Sequence, residues 1–298
     1  MALSVGSSAV KLGCWVDDLK LGLREGLKLT AKWQCDAVGV DIFSTEVSPR
    51  GLSTSGRKEL ARLIQNSNGK LAAVKADVGG RRLSDPKTVD VTLAKIREAC
   101  ELARDLGASR ILVPLGFIPE ETGAEKPRIE TGNSIFAMPL TVKKSDEPPP
   151  SSLAALHEAA RAIAGFGNTL GVRPCISSSS EPVERLEKFL QSVDPGNLIE
   201  IDLNPGAWTA KGEDATKVLF ALNSRIGLAT AIDHYKGGAE ALLGTGDVPW
   251  PELIIGLSSL SRSEPLTMLA GCQKDGDRVK ALQTALEKLN KLRLNPLG

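Results

Sequence analysis

The chain has no excess of charge of either sign: 37 Lys and Arg stand against 36 Asp and Glu among 298 residues, a formal net charge of +1. No basic run concentrates charge locally, so nothing favours a polyanion and no nucleic-acid partner is expected. One or two well-placed basic groups would still suffice for a phosphorylated small molecule. Also missing is any apolar run of roughly 18 residues, the length a membrane helix needs, and any basic stretch followed by an apolar one at the N-terminus. These absences predict a cytoplasmic chain with no membrane partner. Cysteine is sparse: Cys14, Cys35, Cys100, Cys175 and Cys272 are scattered, with neither CxxC spacing nor a nearby His. A disulfide framework and a structural zinc site are thereby disfavoured, and the thiols are expected to be reduced and mostly buried. Histidine is limited to His157 and His234, and aromatics to one Tyr, four Trp and six Phe.

What is present is enough for a large core, with 42% hydrophobic and 24% charged residues. Short β-rich runs alternate with longer amphipathic ones, the order of a parallel sheet covered by helices. Strands are predicted at 11–16, 37–43, 70–76, 110–115, 172–177, 198–203, 226–232 and 265–270. Helices are predicted at 23–33, 57–66, 88–106, 152–170, 182–192, 216–222, 250–260 and 277–292. Eight such units point to a closed α/β barrel, a single (β/α)8 TIM barrel over residues 1–298, a fold that typically takes roughly 250 residues. In the third helix Val91, Ile96, Cys100 and Ala103 are expected on the buried stripe with Leu93 and Leu102 at its margins, and Gly107 to end it.

One stretch, 116–150 between the fourth strand and fourth helix, exceeds ordinary barrel loops several-fold. Because it follows a strand it is expected on the catalytic face, as a lid over the pocket or equally as an arm for self-association into a homo-oligomer. In such barrels chemistry sits where strands end. That selects Trp15 and Asp17, Asp41, Lys75 and Asp77, Ser177, Asp202 and Asn204, Thr230, Asp233 and His234, with Met268 and Leu269 on the last strand.

The chain resembles the xylose-isomerase-like barrels, which include sugar phosphate isomerases and epimerases. The resemblance rests on CDAVGVDIF at the second strand, LSDPKTVDVTLAKIREACELARDLGASRILVPLG through the third helix, LIEIDLNPGAW at the sixth strand and LGTGDVPWPELIIGL before the last. It implies a divalent metal held by a Glu, an Asp, a His and a Glu on strands five to eight, with carboxylates moving a proton through an enediol. Matched to those positions, this sequence has Ser177, Asp202, Thr230 and Leu269. Three of the four implied ligands are thus replaced, so no metal cofactor is expected unless other residues rebuild a site for Mn, Mg or Zn.

Among the remaining candidates, Asp202, His234 and Lys75 are the expected catalytic groups. Lys75 suits an anion or proton transfer, although a salt bridge is the commoner role, and His234 suits a general base, although a solvated loop residue is the default. Trp15 and Trp208 could pack an indole face on a sugar ring, and core or lid packing explains them equally well. Asp41, Asp77, Ser177, Thr230, Asp233 and Lys236 complete the expected substrate-binding set. Glu181 is expected to be a charge near a helix N-terminus, His157 structural, and Asp247 an N-cap with Pro249 inside the first turn. The function expected is a sugar isomerase- or epimerase-like protein acting on a sugar-like small molecule. The competing reading is a non-catalytic ligand-binding barrel or supporting subunit.

Overall fold

The computed structural model describes residues 10–42, 47–67, 70–76, 78–120, 151–177, 181–260, 262, 264–274 and 276–296. All eight expected strands form: β1 (Val10–Trp15), β2 (Ala37–Asp41), β3 (Lys70–Lys75), β4 (Arg110–Pro114), β5 (Arg173–Ser177), β6 (Glu200–Leu203), β7 (Ile226–Ala231) and β10 (Leu266–Ala270). They close into a parallel barrel in the order β1, β10, β7, β6, β5, β4, β3, β2. The remaining strands, β8 (Asp233–His234) and β9 (Glu240–Ala241), form an antiparallel ribbon outside it. The sixth strand begins later than its apolar residues suggest, because the amides of Leu198 and Ile199 donate to the Asp194 carboxylate instead of a neighbouring strand.

Helices α1 (Leu23–Lys32), α2 (Thr54–Asn66), α3 (Val89–Leu106), α4 (Leu153–Leu170), α5 (Val183–Val193), α7 (Ala215–Ala221), α8 (Trp250–Ser259) and α9 (Arg278–Leu294) match the expected eight within a few residues. Sequence reading missed α6 (Pro205–Ala210), a single short helix capped by Asn204, whose Oδ1 accepts from Ala207 N at 3.1 Å. The buried face of α3 also differs from expectation. Ile96, Ala99, Cys100, Leu102, Ala103 and Leu106 are buried, whereas Val91 in the first turn is 54% exposed. Gly107 ends that helix at φ 78°, a left-handed conformation that costs glycine little.

Most of the core lies between sheet and helices, and a second cluster fills the barrel itself: Trp15, Ala37, Ala72, Ala73, Leu112, Cys175, Leu228 and Leu269. Small residues on β2 and β3 leave room for one large ring. A Cβ on Gly39 would stand 2.5 Å from the Trp15 ring and 2.7 Å from Leu269, so the bare glycine lets the indole lie across the barrel. At the opposite mouth the buried Glu200 carboxylate pairs with Arg110 at 2.6 Å, Arg173 at 3.4 Å and Arg262 at 3.8 Å. All five cysteines are free and buried. No described helix is long and apolar enough to cross a membrane.

Candidate functional site

Strand register assembles the site. Asp41 lies beside Lys75, Ser177 beside Asp202, and Thr230 beside Leu269, all at the C-terminal ends of their strands. All of these but Leu269 line a polar cavity of about 380 Å³, together with Trp15, Asp17, Asp18, Lys20, Leu112, Asn204, Ile232, Gln273 and Arg278. Of the expected site residues, Trp15, Asp41, Lys75, Ser177, Asp202 and Thr230 are therefore brought together. A second cavity of about 410 Å³, between α1 and α9, is lined by the Asp36–Arg293 pair at 2.6 Å and holds none of the strand-end groups.

Hydrogen bonding at the floor runs in one direction. The Trp15 indole Nε1 donates to Thr230 Oγ1 at 3.3 Å, which leaves the Thr230 hydroxyl proton for Asp202, whose two oxygens both lie 2.9 Å away. Burial pushes the Asp202 carboxyl up from 3.8 to about 7, against the opposing pull of the Thr230 hydroxyl and the Lys75 ammonium. The Lys75 side chain is exposed to the cavity, and its ammonium makes no hydrogen bond or ion pair among the described residues. On the β1 side, burial followed by the charges of Asp41 and Asp18 pushes Asp17 up to about 6, while the amide of Asp41 opposes the shift. Burial also raises Asp18, whose Oδ2 accepts from Cys272 N at 3.0 Å.

Four expected residues lie elsewhere. Asp233 is buried and saturated by the amides of Gly244, Gly246 and Val248 and by the Trp250 indole, so it ties the glycine-rich turn together. His234 abuts Gly206 of α6, and Trp208 of that helix is 1% exposed within the core. Lys236 lies at the tip of the ribbon, its amide donating to Asp247 Oδ2 at 2.8 Å. The reason is common to them: the chain turns into the β8–β9 ribbon directly after β7, and the ribbon packs on α6, with Gly237 N donating to Ala210 O. Asp247 consequently braces the ribbon and is not an N-cap; α8 begins at Trp250, with Pro249 at the cap.

Asp77 and residues 121–150, most of the expected insertion, lie outside the described residues. Its first residues are held by Glu181, which is buried: Oε1 accepts from Ile118 N at 2.7 Å and Oε2 sits 3.5 Å from Arg185. Glu181 thus anchors a loop as well as standing near the start of α5. His157 packs on Phe189 with ring centroids 5.4 Å apart, a structural contact. Sequence reading passed over Asp18, Lys20, Gln273 and Arg278. Asp18 and Lys20 follow β1 closely enough to have been found, whereas Arg278 opens α9 and carries no strand-end signal.

The four positions where the resemblance implies metal ligands do not fit a divalent ion. They offer one carboxylate already bonded to Thr230, two hydroxyls and the buried hydrocarbon of Leu269, while such an ion wants about six oxygen or nitrogen donors. Among the described residues no group of three or more His, Cys, Asp or Glu could hold one.

No family model matches the chain, and no curated protein matches it in sequence. Solved structures do match. A xylose isomerase domain protein from Planctomyces limnophilus aligns at TM-score 0.72 with 17% identity, over 90% of this chain and 92% of that one. An L-ribulose 3-epimerase aligns at 0.70 with 13% identity, over 96% and 95%. D-psicose 3-epimerase from Clostridium cellulolyticum H10, solved with D-tagatose, aligns at 0.68 with 14% identity, over 95% and 99%. With the closed parallel ring, these likenesses establish the fold of the chain as a xylose-isomerase-like (β/α)8 barrel.

Proposed function

We propose that the chain binds a sugar or other polyhydroxylated small molecule in the cavity of about 380 Å³ and moves a proton next to a carbonyl, an isomerase or epimerase reaction without a tightly held metal. The observation that carries this reading is Asp202, a buried carboxyl that lines the cavity at the barrel mouth and that burial pushes up to about 7. A group titrating close to the working pH both takes and returns a proton readily. The C–H bond beside the carbonyl breaks, its proton passes to Asp202, and its electron pair becomes the double bond of an enediolate. Lys75 supplies positive charge for the oxygen that gains electron density. Ser177 and Asn204, which line the cavity, bond substrate hydroxyls in this reading. Several solved barrels of this fold are named as sugar epimerases, which supports the substrate class.

The test is solvent deuterium incorporation into D-psicose, D-tagatose and L-ribulose, read by NMR in D2O. Wild type should incorporate deuterium, and Asp202→Asn should slow it by about 100-fold or more. No incorporation by wild type defeats the reading. Protein purified without chelator is also expected to carry no stoichiometric Mn, Mg or Zn by elemental analysis. About one equivalent, lost in Asp202→Ala, would restore a metal-dependent mechanism. The replacement of three implied ligands by Ser177, Thr230 and Leu269 favours a second reading, a ligand-binding barrel or supporting subunit without activity. A raised melting temperature with one of these sugars, without exchange, would select it.

A further inference from the structure

Asp17 lies in the 3-10 turn Val16–Leu19 that follows β1. Its Oδ2 accepts the Asp41 amide at 2.5 Å and so ties the end of β1 to the end of β2. That staple occupies one oxygen only. Oδ1 is buried and has no hydrogen-bond partner among the described residues. Buried acids that serve structure here are bonded differently. Asp233 receives four donors, and Asp194 receives the amides of Leu198 and Ile199 together with the Arg225 guanidinium. An unsatisfied buried oxygen is costly, which singles Asp17 out. Asp17 also lines the same cavity as Asp202, and around the barrel β10 and β7 separate their strands, so the two carboxyls approach the cavity from different flanks.

We propose that Asp17 is a second catalytic residue of this pocket, the acid that gives a proton to the substrate's carbonyl oxygen while Asp202 takes one from the adjacent carbon. The inference rests on the proton-transfer reading above and deepens it. In the step, the C–H proton moves to the Asp202 carboxylate and the C–H pair becomes the carbon–carbon double bond. The carbonyl π pair takes the proton of the Asp17 carboxyl, leaving a neutral enediol and an Asp17 carboxylate. Reversal restores both groups, so no oxidant or reductant enters. The charged groups sharing the cavity with Asp17 are Asp18 and Lys20 on its own turn, Asp41 of β2, Lys75 of β3, Asp202 of β6 and Arg278 of α9. Burial together with the acids beside it raises Asp17 to about 6, so a fraction remains protonated at neutral pH.

Two measurements on the full chain test this. In the first, carboxyl carbons of ¹³C-labelled aspartate are titrated, with the Asp17 signal assigned by its loss in Asp17→Asn. A raised midpoint is expected, and titration in the ordinary range near 4 overturns the proposal. In the second, deuterium incorporation into D-psicose, D-tagatose and L-ribulose is compared between wild type and Asp17→Asn, which keeps an acceptor for the Asp41 amide. A loss of about 100-fold, with a changed acid limb of the pH profile, is expected. Asp17→Ser is read in parallel, so that a folding defect in one variant does not decide the outcome. Exchange unaltered in both variants removes Asp17 while leaving the proposed function standing. Absence of exchange in wild type removes the proposed function and this assignment with it.

Discussion

Two buried aspartates of the same barrel face have opposite surroundings. Asp233 is met by three amides and an indole N–H, whereas Asp202 is met by one hydroxyl. The first is held in place by its four donors; burial pushes the carboxyl of the second up to about 7. Because that value lies above the ordinary 3.8, the native state retains a proton that the unfolded chain sheds. Stability therefore falls as pH rises from about 4 through about 7 and levels off beyond. Asp202→Asn removes the titration, so its melting temperature should match wild type near pH 4 and exceed it at pH 8, by at most on the order of 4 kcal/mol in stability. A difference that does not vary with pH would refute the assignment. At Gly39 an added methyl would strike the Trp15 ring, so Gly39→Ala should cost about 1 to 3 kcal/mol in denaturant unfolding and loosen the Trp15–Thr230 bond. Wild-type stability in that variant would mean that the indole has room to move.

At the scale of elements, the segment after β7 decides which side chains reach the cavity. The β8–β9 ribbon is held at its tip by Ala210 O and at its base by Glu240, whose Oε1 accepts from Gln273 N at 2.9 Å. Asp233 then gathers the turn from Gly244 to Trp250. Asp233→Ala leaves three amides and an indole N–H without their acceptor, and a loss of about 3 kcal/mol or more is expected in denaturant unfolding. Hydrogen exchange should quicken at Gly244, Gly246 and Val248 before it does in the barrel strands. Uniform loss of protection across the molecule would instead show that the turn and the barrel unfold as one unit.

For the whole molecule, the two mouths of the barrel carry different chemistry. The N-terminal mouth is plugged by Glu200 and its three arginines, one buried carboxylate shared among three guanidinium groups. At the C-terminal mouth Asp17 keeps an unpartnered oxygen and Lys75 makes no ion pair among the described residues. Such a division puts stability at one end and chemistry at the other. Glu200→Ala should accordingly cost about 3 to 5 kcal/mol by leaving Arg110 and Arg262 without their counter-ion. In protein that remains folded, the response to the sugar probes should not change. A loss of sugar response at unaltered stability would reverse the division.

The alternation of apolar strands and amphipathic helices was sufficient, from the sequence, for the barrel, its eight strands and most helix limits, because burial on both faces and capping are local properties. It also carried Asp202, Lys75, Trp15, Asp41, Ser177 and Thr230, since a residue that ends a parallel strand in a closed barrel must lie at the mouth. It did not separate Asp233 and His234 from that set, because both follow β7 as closely as true rim residues do. Their fate depends on a two-residue ribbon whose partner lies at Glu240–Ala241, a pairing without a sequence period. The exposure of Val91 likewise depends on what packs against the first turn of α3. Nor does the sequence show that Thr230 faces Asp202, or that Gly39 makes space for Trp15 to point the Thr230 hydroxyl at it. Those contacts join residues 28 and 215 positions apart, and only the strand register of the folded barrel creates them.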